Sequence, residues 1–223
     1  MKIIITGATG YVGGEVIRQA IADERITHAF VLTRKPLPDD LAKNPKITVI
    51  EHKDFSTYPP ELLAQLAGAE GCVWALGGRV PQFPDVETAR KVSVDYTLAG
   101  AKAFIDELAP KLPGSQKFRF VFCSGKFAEW DQKKSLAMLG DTRRIKGQAE
   151  KGLCDLADAH KDTFEVWAVR PGGIVKKHAG LMNLLTANTS GFVELDHLAK
   201  AMLTIVVDGH KNRIIEASEL LKI

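Results

Sequence analysis

Gly7, Gly10 and Gly13 lie in the run Thr6-Gly7-Ala8-Thr9-Gly10-Tyr11-Val12-Gly13-Gly14, a GxxGxxG spacing set between a short apolar stretch and a helical one. In that setting the first glycine permits a tight strand-to-helix turn, the second lets the backbone approach a pyrophosphate, and the third lets helix and strand pack closely. Unpaired amides at the start of the following helix attract negative phosphate oxygens. The spacing therefore predicts a dinucleotide-phosphate site formed by Gly7, Thr9, Gly10, Tyr11, Val12 and Gly13.

A second chemical signal follows the next apolar run, Phe30-Val31-Leu32-Thr33-Arg34-Lys35. A site for NAD usually carries an acid about 20 residues beyond the glycines, where it binds the ribose 2′-hydroxyl. Here the position is held by Thr33 and Arg34. A planar guanidinium pairs bidentately with a 2′-phosphate and stacks on adenine, and Lys35 adds charge. NADP(H) is therefore expected over NAD(H). Asp39 and Asp40 come after Pro36, too late for the ribose role.

Positioning these residues requires buried strands joined by crossover helices. Apolar runs predict strands at 2–6, 29–33, 47–51, 71–75, 118–123, 165–169 and 213–216, and helical periodicity predicts helices at 11–22, 60–66, 86–108, 142–160 and 196–207. Alternation of this kind, with right-handed crossovers, implies an α/β doubly wound, mostly parallel sheet (a Rossmann fold) with its ligand crevice at the carboxyl ends of the strands. One domain over 1–223 is expected, with substrate-recognising loops near 77–85, 125–141 and 176–191.

With these motifs the chain resembles the short-chain dehydrogenase/reductase superfamily, in its atypical branch of small NAD(P)-binding proteins with TGATGxxGG near the amino terminus. The resemblance implies further roles. Asp54-Phe55 is similar to the pair that holds adenine, and Ala75-Leu76-Gly77-Gly78 to the nicotinamide-ribose loop. Ser124, after Cys123, matches the catalytic serine, and Arg170-Pro171-Gly172-Gly173 resembles the turn beside the nicotinamide, which places Pro171, Gly172 and Gly173 at the cofactor.

The family's Tyr-x-x-x-Lys pair departs from pattern: it reads Thr142-Arg143-Arg144-Ile145-Lys146, which keeps the lysine and loses the phenol. The pair shares one helical face so that the tyrosine can donate a proton while the lysine lowers its pKa. An aliphatic hydroxyl is far less acidic than a phenol. Ser124, Lys146 and Thr142 remain the catalytic candidates, with Lys146 both a ribose clamp and a proton source if burial lowers its pKa. The tyrosines at 11, 58 and 96 do not fall in register to replace the missing one.

Other residues have ordinary structural roles as alternatives to a functional one. Lys126, Phe127 and Trp130 follow Ser124 where a substrate would sit, and could orient a planar or anionic ligand or simply pack over the core. Arg79 is a comparable cation, and His178, with Met182 and Asn183, is a possible contact in the segment after the sixth strand.

The 30 basic and 27 acidic residues are scattered, giving a net charge of +3 without a run that would mark a nucleic-acid or membrane surface. The amino-terminal apolar run is too short for a signal peptide, and three dispersed cysteines suit neither a disulfide framework nor zinc. A cytoplasmic protein without a metal is expected, monomeric or homodimeric, acting on a small molecule. The leading functional expectation is an NADPH-dependent reductase of a small carbonyl or conjugated substrate. Its alternatives are a non-redox isomerase, epimerase or cyclase, and a non-enzymatic NADP(H) sensor.

Overall fold

The computed structural model describes residues 1–176 and 192–223. In chain order the first half comprises β1 (Lys2–Thr6), α1 (Tyr11–Ala22), β2 (His28–Thr33), α2 (Asp39–Ala42), β3 (Ile47–Glu51), α3 (Pro60–Gln65) and β4 (Gly71–Trp74). A helical rod follows as α4 (Val86–Arg90), a π-helical turn (Lys91–Asp95) and α5 (Tyr96–Glu107). Then come β5 (Phe118–Cys123), α6 (Gly140–Ala159), β6 (Phe164–Arg170), β7 (Ile174–Val175), β8 (Val193–Glu194), α7 (Leu195–Asp208), β9 (Ile214–Glu216) and α8 (Ala217–Leu220).

Seven strands pair in the order β3-β2-β1-β4-β5-β6-β9, every neighbour parallel. The chain reverses its winding between β1 and β4, the point at which doubly wound sheets open a crevice. β1 shows why the strands read as unbroken apolar runs. Successive side chains point to opposite faces, and here both faces are covered. Ile4 joins Trp74, Phe120 and Phe122 in the layer under α5 and α6, whereas Ile3 and Ile5 join Val73, Val121 and Val169 in the layer under α1 and α7.

Each expected strand is present within a residue or so, although β4 ends at Trp74 and leaves Ala75 to the loop. The expected helix over 86–108 is instead divided by the π turn. Short elements that periodicity cannot register also appear: α2, α8, and the small parallel pair β7–β8. Of the expected loop at 176–191, all but Lys176 lies outside the described residues, as do His178, Met182 and Asn183.

Candidate functional site

The glycine turn is assembled from backbone. Gly7 has φ +70°, and a Cβ there would overlap the Ala75 carbonyl, so the loops after β1 and β4 touch where only glycine fits. A Cβ on Gly13 would strike the Gly7 carbonyl, and the Gly10 amide donates to that same oxygen at 2.8 Å. Thr9, Gly10 and Tyr11 are exposed at this mouth, and Val12 is half-buried. Gly10 caps α1 without a side-chain hydrogen bond, and the first turn of the helix contains no acid. The positive end of the helix therefore meets no competing carboxylate from its own first turn.

At the end of β2 the Thr33 hydroxyl donates to the Lys35 carbonyl at 2.7 Å, forming a tight turn. Arg34 and Lys35 are exposed on it, and among the described residues Arg34 makes no hydrogen bond or ion pair. Beyond β3, the exposed Asp54 carboxylate accepts from the Ser56 hydroxyl at 2.6 Å and the Ser56 amide at 3.0 Å, which holds its pKa below the usual range. Phe55 is buried against Trp74 and Tyr96, so Asp54 is the exposed member of the pair.

The other end of the crevice draws its residues from four separate segments. Gly77 (φ +131°) crosses so closely that a Cβ there would lie 3.3 Å from Ser93 Oγ and 3.4 Å from Lys146 Nζ. Lys146 is 9% exposed. Its ammonium donates to the Cys123 carbonyl at 2.9 Å and lies 5.1 Å from the Phe122 ring centroid. Burial pushes its pKa down, opposed by nearby Cys123 and Glu150. Ser124 is also buried, its amide donating to the Val169 carbonyl at 2.9 Å, and its hydroxyl has no partner among the described residues. An unpaired buried hydroxyl costs stability and calls for an explanation, of which an incoming ligand is one.

Thr142 is half-buried, and its hydroxyl accepts from the Val80 amide at 3.0 Å, tying α6 to the loop after β4. Tyr58 packs against His52 and Phe104 inside the core, where burial drives its phenol pKa well up. Tyr96 packs on Phe55 beneath Lys91. Among the described residues no hydrogen bond or ring contact joins Tyr11, Tyr58 or Tyr96 to Ser124 or Lys146.

Arg170 turns inward. Its guanidinium pairs with the fully buried Glu150 through Nε at 2.9 Å and Nη2 at 2.5 Å, and reaches Glu216 at 2.9 Å. Glu150 holds the guanidinium pKa above its ordinary value. The Trp130 indole donates to the same carboxylate at 2.8 Å. In the turn that follows, the Pro171 carbonyl accepts from the Lys126 amide at 2.8 Å, and a Cβ on Gly173 would overlap the Phe192 ring. Gly172 is half-buried between them. Ser93 and Glu150 escaped the sequence reading: Ser93 approaches Gly77 from the π turn, and Glu150 looks like an ordinary helical acid until its burial is known. Among the described residues no group of three or more His, Cys, Asp or Glu is arranged to hold a metal ion, and no helix is long and apolar enough to cross a membrane.

The arrangement agrees with comparisons to known proteins. A family model described as NAD(P)H-binding matches residues 7–208. Leucinostatins biosynthesis cluster protein T of Purpureocillium lilacinum is 34% identical over 124 residues, 56% of this chain and 42% of that protein. The chain thus spans less than half the length of that relative. Among solved structures, Gre2 of Candida albicans in complex with NADPH superposes with a TM-score of 0.72 at 18% identity, covering 96% of this chain and 77% of the other. Yeast methylglyoxal/isovaleraldehyde reductase Gre2 complexed with NADPH gives 0.73 at 14% identity, with 97% and 78% covered. At these identities the two structures report the shared fold.

Proposed function

Because the chain belongs to the NAD(P)H-binding family, we propose that it is an NADPH-dependent reductase of a small carbonyl or conjugated substrate. The observation that carries this reading is the convergence of Gly77, Lys146 and the unpartnered Ser124 hydroxyl at one end of the crevice, with the glycine turn at the other. The glycine turn, in which Gly7 and Gly13 pack backbone on backbone and Gly10 opens α1, fits a dinucleotide diphosphate. Arg34, exposed and uncommitted, fits a 2′-phosphate. Bound NADPH supplies a hydride.

The chain's own residues do the rest. Gly77 lets the loop after β4 lie against Lys146. The Lys146 ammonium, anchored on the Cys123 carbonyl, has further N–H donors for ribose hydroxyls. Ser124 donates a hydrogen bond to the substrate oxygen where negative charge develops. The balancing proton comes from Lys146, whose burial makes it a stronger acid than a free lysine. Hydride and proton together convert a carbonyl to an alcohol. Thr142 keeps its own hydroxyl proton while accepting from Val80, and orients the loop over the site.

Calorimetric titration with NADPH, NADP+, NADH and NAD+, followed by NADPH absorbance with a panel of carbonyls, tests the reading. NADP(H) is expected to bind at least about tenfold tighter than NAD(H), about 1.4 kcal/mol, with Arg34→Ala erasing the gap. Substrate conversion without net absorbance change would replace reduction by an isomerase or cyclase. Binding that discriminates oxidised from reduced cofactor without turnover would mark a sensor.

A further inference from the structure

The segment after β5 is a wall held on α6. The Glu129 amide donates to the Arg143 carbonyl at 2.9 Å, the Trp130 indole to Glu150 at 2.8 Å, and Arg144 to the Lys134 carbonyl at 3.0 Å. A Cβ on Gly147 would overlap the Glu129 backbone, so wall and helix are in direct contact.

Within this fixed wall Phe127 is costly to the fold. It adopts φ +63°, a strained conformation for a bulky aromatic, and the residue is 61% exposed. Lys126 Nζ lies 4.9 Å and the Arg143 guanidinium 5.6 Å from the ring centroid. Arg143 Nε donates to the Phe127 carbonyl at 2.9 Å, while its terminal nitrogens make no hydrogen bond or ion pair among the described residues. The neighbouring Glu129 carboxylate is hydrogen-bonded to Lys134 at 2.6 Å and acts on Arg143 only at longer range. An aromatic ring and two cations are thus presented together, on the loop that Ser124 opens and one helical turn ahead of Lys146.

We infer that Phe127, Arg143 and Lys126 form a substrate subsite for a planar, unsaturated molecule bearing a carboxylate, the apolar plane covering the Phe127 ring and the carboxylate pairing with the guanidinium. The inference rests on the reductase reading of the adjoining crevice and names its substrate class. A carboxylate matches the fork geometry of a guanidinium, and an aromatic neighbour holds that cation in place before the ligand arrives.

The test is calorimetric titration of the NADPH-saturated chain with 2-naphthoate and with neutral 2-naphthamide. The carboxylate is expected to bind at least tenfold more tightly, with Arg143→Gln bringing it down to the amide and Phe127→Ala weakening both. Raising the salt from about 0.05 to about 0.5 M shrinks the preference in the unmutated chain, a readout independent of any variant's folding. Equal affinity for the two probes, no binding of either, or a preference that survives both Arg143→Gln and high salt overturns the subsite alone, provided NADPH itself binds. Absence of an NADPH isotherm overturns the reductase reading and this subsite with it.

Discussion

The turn between β1 and α1 and the wall between β5 and α6 lie at the same carboxyl edge of the sheet, yet they are made of different material. The turn is backbone: glycines allow Gly7 to touch Ala75 and Gly13 to touch Gly7, and no charged side chain is buried in it. The wall adds side-chain chemistry to its backbone contact with α6: Trp130, Glu150 and Arg170 meet from a loop, a helix and a strand to share one carboxylate. Gly7, Gly10 and Gly13 meet at a short fixed spacing that can be read along the chain, whereas Gly7 against Ala75, like Trp130, Glu150 and Arg170 around one carboxylate, joins separate segments and depends on the fold arriving first.

Removing the shared carboxylate should have the largest effect. Glu150→Ala leaves the Arg170 charge and the Trp130 N–H without that partner in a buried setting, and is expected to cost about 3–5 kcal/mol in urea unfolding. Glu216 still reaches Arg170 from the exposed side, so a cost at the lower end is expected if it compensates. At the turn, Gly7→Val forces a β-branched residue to φ +70° and into the Ala75 carbonyl. Strain and overpacking together predict a loss of about 2–4 kcal/mol, with dinucleotide binding abolished even where the fold survives. A variant that kept wild-type affinity would break the contrast, because side chains would then be shown to hold the diphosphate.

Arg34→Ala sharpens the comparison from the cofactor side, with an expected loss of about 1.4 kcal/mol in NADPH affinity and none in thermal stability. Ser124→Ala removes a buried hydroxyl that has no partner, so unfolding free energy should hold or rise by up to about 1 kcal/mol while turnover falls. A drop in stability together with unchanged turnover would assign Ser124 to the scaffold.

The smallest effect is a slope. Burial lowers the folded pKa of Lys146 below its unfolded value near 10.5. Between those two values the unfolded chain binds more protons, so this lysine makes stability rise with pH across that window. Buried Tyr58 and Cys72, whose pKa values are raised, oppose it at alkaline pH. The difference between the unmutated chain and Lys146→Met isolates the rise, which should vanish in the variant.

Legibility followed the same division. The inner strands were readable because they are apolar on both faces, the edge strand β3 from its Ile and Val residues despite exposed Thr48 and Glu51, and the glycine turn because its spacing is itself the geometry. The π turn was not, since Lys91–Asp95 continues the helical periodicity on either side and differs only in its hydrogen-bond ladder. Nor was the fate of Arg170, which resembles a cofactor-side residue in the chain and turns instead to a buried acid twenty positions earlier. Ser124 and Lys146 could be named from a family pattern, but that their neighbourhood includes Ser93 could not, because Ser93 carries no pattern and reaches Gly77 through the packing of the rod against the loop.

That π turn gives the rod two phases. Each residue of an α-helix advances about 100° around its axis, so the wide turn sets the bearing of everything downstream relative to α4. At its present bearing α5 lays Gly100 against Trp74 and Tyr58, where a Cβ would come within 2.6–2.8 Å of the two side chains. Deleting one residue from 91–95 would restore an ordinary helix and swing that smooth face about 100° aside, bringing a bulkier residue onto the tryptophan and prying the rod from the sheet. The turn thus acts as a vernier, matching the part of the rod that reaches Gly77 to the part that must lie flat on the core.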